Sequence, residues 1–163
     1  MTLVRLMARP MLASMFVAGG YSSLKNADYL SERAKPVTDR IEPVLAGATA
    51  SLPVRLDAKN MVRLNGLVHL VGGLMLATGR APRLTSLALV ATLVPTTLAG
   101  HRYWEESDPQ MRANQRVHLL KNVSMAGGLL LASVDTEGRP SLTWRARSQA
   151  SKAKKRAAQL ADR

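Results

Sequence analysis

Three histidines, His69, His101 and His118, two asparagines, Asn65 and Asn122, and Lys121 stand out because each falls inside or at the edge of a stretch that is otherwise uncharged. Imidazole and amide groups both donate and accept hydrogen bonds, so in a low-dielectric setting they can hold the carbonyl oxygens of a quinone headgroup or another small polar ligand. The same groups can instead bond across neighbouring helices or cap backbone groups, with His101 and His118 merely wet at an interface. Both readings stand on the residues alone. Metal or haem ligation has less to rest on. There is no cysteine, no His-x-x-His or Glu-x-x-His spacing, and His69 has no clear opposite number at matching depth. The lack of cysteine also excludes a disulfide framework, a thiol nucleophile and a C-x-x-C redox pair. No phosphate-cradling glycine loop with a lysine, G-x-S-x-G elbow or H-E-x-x-H helix is present. Glu105, Glu106 and Asp108 form an acidic patch best read as solvated partners of Arg102 and Arg112.

The elements that must position these groups follow from the distribution of charge. The chain of 163 residues carries 23 basic and 11 acidic side chains, yet Pro10–Leu24, Leu64–Gly79, Leu84–His101 and Asn122–Val134 contain none of them. Mean hydropathy near zero therefore averages apolar blocks against charged connectors. Crossing a bilayer core takes roughly 20 helical residues. The blocks approach that length once Arg5 and Arg9, Arg63 and Lys121 are allowed to snorkel to the headgroups. The spacing predicts an all-α integral membrane four-helix bundle over 1–135, with spans at about 3–24, 61–79, 82–104 and 117–134, and a basic tail over 136–163.

Punctuation supports these bounds. Asp57 is placed to cap the second span, and Asp108-Pro109 to start a helix of about 26 residues reaching Val134. Gly79 to Pro82 gives a tight turn between spans two and three. In the first connector Val37, Ile41, Val44, Leu45 and Ala48 recur at helical spacing, which predicts an interfacial helix over 36–50 that Pro43 kinks or breaks. Pro95 should kink the third span, with Thr92, Thr96 and Thr97 satisfying freed carbonyls. Paired glycines, Gly19 with Gly20, Gly72 with Gly73 and Gly127 with Gly128, are expected at close helix approaches. Tyr103 and Trp104 suit an aromatic belt.

Orientation follows from the cations. The tail carries Lys152, Lys154, Lys155 and Arg156, so it and the amino terminus belong on the cytoplasmic side, while both outer connectors are nearly neutral. A cleaved signal peptide is the rival for the first span, but Ala-Gly-Gly-Tyr makes a poor cleavage site. The basic tail fits contact with an anionic inner leaflet, and without interleaved aromatics it gives no reason to invoke nucleic acid. With His69, His101 and His118 then on the outer side, Asn65, His69, His101, Lys121 and Asn122 form the candidate ligand-binding cluster.

The sequence resembles the DoxX family of small four-span bacterial membrane proteins, in particular its actinobacterial branch. The resemblance rests on ARPMLASMFVAGG at 8–20, VRLNG at 62–66, GLMLATGR at 73–80, LVPTTLAGHRYW at 93–104, LKNVSMAGGLLL at 120–131 and DTEGRP at 135–140. It implies a cytoplasmic-membrane protein, multi-pass, that serves as an accessory or anchoring subunit of a redox or oxidative-stress assembly. Soluble redox enzymes would be its partners and would carry out the catalysis. No catalytic residues transfer with the resemblance, but its motifs point to His101, Trp104, Lys121 and Asn122, which adds Trp104 to the candidate ligand-binding residues. The alternatives are a quinone-linked oxidoreductase component using the outer polar cluster, and a small-solute transporter.

Overall fold

A computed structural model describes residues 3–49, 57–136, 144 and 147–152. Lys154, Lys155 and Arg156 of the basic tail lie outside the described residues, and Lys152 is exposed. Among the described residues five α-helices follow one another, α1 (Leu3–Lys25), α2 (Ala27–Thr49), α3 (Ala58–Ala77), α4 (Pro82–Gly100) and α5 (Pro109–Val134), with a 3-10 turn at Tyr103–Glu105 before α5; residues 147–152 are also helical. No strand occurs among the described residues.

The helix ends form where local chemistry dictates. Asp57 Oδ1 accepts from Asn60 N at 2.7 Å and Asp108 Oδ1 from Met111 N at 2.7 Å, so each carboxylate satisfies an orphan amide at a helix start. Beyond α3, Gly79 takes a left-handed φ of 70°, Arg80 N bonds to Met75 O and Gly79 N to Leu76 O. That pair of bonds is a Schellman ending. Ala81 continues in the left-handed region at φ 45°, where its Cβ is disfavoured, before Pro82 opens α4.

Contacts between named residues give the topology. Gly20 of α1 meets Gly66 and Leu70 of α3, while Gly73 of α3 meets Ala13 and Val17 of α1, so these helices run antiparallel. Asn65 and His69 of α3 pair with Thr96 and Thr92 of α4, Asn122 of α5 pairs with Thr97 of α4, and Arg5 of α1 pairs with Asp135 just beyond α5. The helices α1, α3, α4 and α5 thus alternate in direction around a ring. Its core is Ala13, Phe16, Leu76, Leu89, Leu93 and Leu129. Large apolar side chains elsewhere point outward, among them Met11, Leu84 and Leu131, each more than 70% exposed. Pro82–Glu105 and Pro109–Val134 are long and apolar enough to cross a membrane; α1 and α3, which carry Arg5, Arg9, Lys59, Arg63, Asn65 and His69, fall short of that measure.

Of the paired glycines, Gly20 and Gly73 form the α1–α3 crossing together with Gly66. A Cβ on Gly20 would lie 2.5 Å from Leu70 N and 2.6 Å from Gly66 O. Gly72 admits Leu89 of α4, and Gly128 is in ordinary contact with Leu12. Gly19 and Gly127 face open space, so within this chain they make no close helix approach.

The first connector departs from its expected form. Helix α2 starts at Ala27, one residue after α1 ends, and runs unbroken through Pro36 and Pro43. Both prolines are exposed, so each costs an internal bond at a surface without a ring colliding with a neighbouring helix. The face that α2 buries consists of the small residues Ala27, Ser31, Ala34 and Thr38, which let it lie close over α3 and α4. Val44, expected on the apolar face, is 79% exposed, and the side chains of Leu45 and Ala48 lie outside those described. At its start Asp28 pairs with Lys59, and that hydrogen bond holds the carboxyl below its ordinary pKa. At the opposite end of the ring Asp135 accepts from Arg5 Nε and an Arg5 terminal nitrogen at 2.7 and 2.8 Å and lies 3.7 Å from buried Arg9.

Candidate functional site

The polar centre of the bundle is organised by α4. Thr92, Thr96 and Thr97 each donate a hydroxyl hydrogen to a carbonyl earlier in the same helix: Ala88 O, Thr92 O and Leu93 O, at 3.0, 2.8 and 2.7 Å. None of these is Ala91 O, the carbonyl that Pro95 frees, so the threonines do not take the role expected of them around the proline. With its hydrogen committed, each hydroxyl oxygen becomes an acceptor, and each receives one donor from a neighbouring helix. Asn65 Nδ2 donates to Thr96 Oγ1 at 2.9 Å and Asn122 Nδ2 to Thr97 Oγ1 at 3.0 Å. His69 Nε2 lies 3.1 Å from Thr92 Oγ1, which assigns the ring proton to Nε2. The His69 ring meets Phe16 edge-on at 5.3 Å.

Between α2, α3, α4 and the first turns of α5 lies a cavity of about 530 Å³, within the range of roughly 300–1,000 Å³ typical of small-molecule sites. Its wall is mainly carbon, from residues such as Leu30, Val37, Ile41, Met61, Val68 and Pro95, with Asn65, Thr92 and Thr96 along one side. At its mouth His101 and His118 stack with ring centroids 5.0 Å apart and planes 18° from parallel. His101 Nδ1 lies 2.8 Å from Gln115 Oε1, so with that amide orientation Nδ1 carries the proton and Nε2 is an acceptor. The Lys121 ammonium faces His118 Nδ1 at 3.5 Å, which leaves the His118 proton on Nε2. A smaller polar recess of about 220 Å³, bordered by Arg33, Arg102, Glu105, Glu106 and Gln115, adjoins the mouth.

The structure therefore divides the six candidates. Asn65 and His101 line the cavity. His69 lies behind Thr92, buried to 5% exposure, and Asn122 bonds on the α4–α5 side at 6%, so both act as bonds between helices. Lys121 touches the site through His118 alone, and Trp104, 52% exposed, packs on Tyr103 away from it. No group of three His, Asp or Glu side chains that could hold a metal occurs among the described residues. His101 and His118 turn ring faces, not nitrogens, toward each other. Sequence reasoning missed Arg33 and Gln115. Their signal was one helical turn: Arg33 precedes Val37 by four and Gln115 precedes His118 by three.

The described residues form an all-helical structure with membrane-type apolar surfaces and a mainly apolar cavity under α2. The chain belongs to the DoxX family, whose model matches residues 4–102, more than half of its length. The match takes in α1 to α4 and ends at Arg102, so the runs at 120–131 and 135–140 that also carried the resemblance lie beyond it. No curated protein and no solved structure matches the chain.

Proposed function

We propose that this DoxX protein is a multi-pass protein of the cytoplasmic membrane that holds one amphipathic small molecule in the cavity beneath α2, as the membrane subunit of a redox assembly. The cavity is the observation that carries this reading: a mainly carbon-lined space of about 530 Å³ that Asn65, His101 and His118 also border. In this arrangement α1, α3, α4 and α5 cross the bilayer, both termini are cytoplasmic, and α2 lies in the outer interface over the site.

A quinone is the redox-active ligand that fits such a chamber. Its ring and tail take the carbon wall, and its carbonyl oxygens need donors. Asn65 supplies the Nδ2 hydrogen not given to Thr96, and His118 supplies Nε2–H. His101 Nε2 and Asn65 Oδ1 are the acceptors for a hydroxyl on the reduced form. His69 and Asn122 set the helix spacing and do not touch the ligand.

The test is quinone binding to the purified chain in nanodiscs. Binding should weaken about tenfold or more in Asn65→Ala and in His101→Ala, the scale of one lost hydrogen bond with its partner left unsatisfied. Unchanged binding in both variants, or no binding to the intact chain, refutes the reading. The accessory role is tested separately by purification in mild detergent, where soluble redox enzymes should accompany the chain; a chain that always emerges alone refutes it.

A further inference from the structure

Resting on the reading that the cavity holds a ligand, we infer that a natural occupant is a single-chain amphiphile with an anionic head, a carboxylate or a phosphate monoester, held by Arg33. The charge of the lining points there. Among the described residues Arg33 is the one with a full formal charge that borders the cavity, and no aspartate or glutamate does. It also borders the polar recess, which joins the two spaces at this exposed residue.

Other basic groups nearby are committed. Arg102 pairs with Glu105 at 3.0 Å, Arg112 donates twice to Glu106 O, and Lys59 pairs with Asp28. Among the described residues Arg33 makes a single hydrogen bond, a long one of 3.4 Å to Tyr29 Oη, and no ion pair. A guanidinium with most of its five N–H groups free suits a planar carboxylate or a phosphate, which it can bind through two parallel bonds. The Lys121 ammonium, which faces His118, adds positive potential. Glu105 and Glu106 border the recess but not the cavity, and Arg102 neutralises the first.

The head charge can be separated from the cavity itself. A photoactivatable fatty acid is crosslinked to the full chain in phosphatidylcholine nanodiscs, the adducts are mapped by mass spectrometry, and oleate, oleoyl lysophosphatidate and oleyl alcohol compete. Adducts should fall on cavity residues such as Val37, Met61 and Val68. An anionic competitor should act at a mole fraction about tenfold below that of the alcohol, the scale of a charge-assisted bond. Arg33→Gln should remove that preference and Arg33→Lys retain part of it. Whichever anion competes better identifies the head. Competition by the alcohol equal to that of both anions overturns the inference while leaving the cavity reading intact. Adducts outside the cavity with every probe refute the cavity reading and this inference with it. Val68→Phe, at a position that borders the cavity but not the recess shared with Arg33, should lower adduct yield whichever competitor is present.

Discussion

Replacing Gly20 with alanine would put a methyl carbon 2.5 Å from Leu70 N and 2.6 Å from Gly66 O, both backbone atoms of α3. Ordinary contact begins at 3.4 Å, so α1 and α3 would have to separate locally by about 0.9 Å. No side-chain rotation can relieve the clash, and the crossing continues through Gly66 and Gly73, which a shift at one glycine also disturbs. Overpacking a close contact costs about 1–3 kcal/mol, and a clash of backbone on backbone belongs at the upper end. For a chain of this size each kcal/mol moves the midpoint by about 2–4 °C, so Gly20→Ala should lower Tm by roughly 4–12 °C. Its neighbour is the control. Gly19 has nothing within 4 Å, so Gly19→Ala should be neutral or gain up to about 1 kcal/mol of helix propensity. Thermal unfolding in detergent, followed by the fluorescence of Trp104 and Trp144, measures both. If Gly20→Ala melts with the unaltered protein, or if Gly19→Ala is the more damaging of the two, the glycine crossing is wrongly assigned.

Ala81 holds a left-handed φ without being glycine, so Ala81→Gly should raise stability by about 1 kcal/mol in the same melt; a loss would mean that the turn needs its side chain. Asp135→Asn weakens a charged, two-pronged hydrogen bond from Arg5 and should cost about 1–3 kcal/mol, while Lys152→Gln on the exposed tail should change nothing. Because Lys59 lowers the Asp28 pKa, that pair contributes fully above the ordinary carboxylate value of about 3.9 and is lost as pH falls through the lower folded-state value. Both groups are well exposed, so the effect should be a small acid-limb difference in Tm that Lys59→Gln abolishes. In sealed inside-out vesicles protease should remove the tail after Asp135; protection there, with cleavage in right-side-out cells, would invert the proposed topology.

The helices were legible because charge-free blocks and capping carboxylates are local signals: Asp57 and Asp108 accept the hydrogen bonds that their positions promised. Helix α2 was legible only in its second half: Val37 and Ile41 of the expected apolar face border the cavity, but the helix already starts at Ala27 and continues through Pro43. Its contact face is Ala27, Ser31, Ala34 and Thr38, whose value lies in their small size, and that becomes visible only once α3 and α4 are in place. The polar cluster was found as a set of residue types near one end. Which members face a cavity and which bond another helix depends on rotation about each axis. Asn65 and His69 lie one turn apart on the same face, yet only Asn65 borders the cavity, because Thr92 stands between it and His69. Arg33 was passed over as one charge among many in a charged connector.

The clasp between Arg5 and Asp135 joins groups 130 residues apart, nearly the full length of the described bundle. A ribosome makes the first helix, with Arg5 and Arg9, long before it makes the carboxylate that receives them. The ring can therefore be locked only after the last helix emerges, and until then α1 must rely on its glycine crossing with α3 as a holding contact. Truncation before Asp135 should leave an inserted but unlocked intermediate, one that membrane quality-control proteases can tell apart from the finished protein.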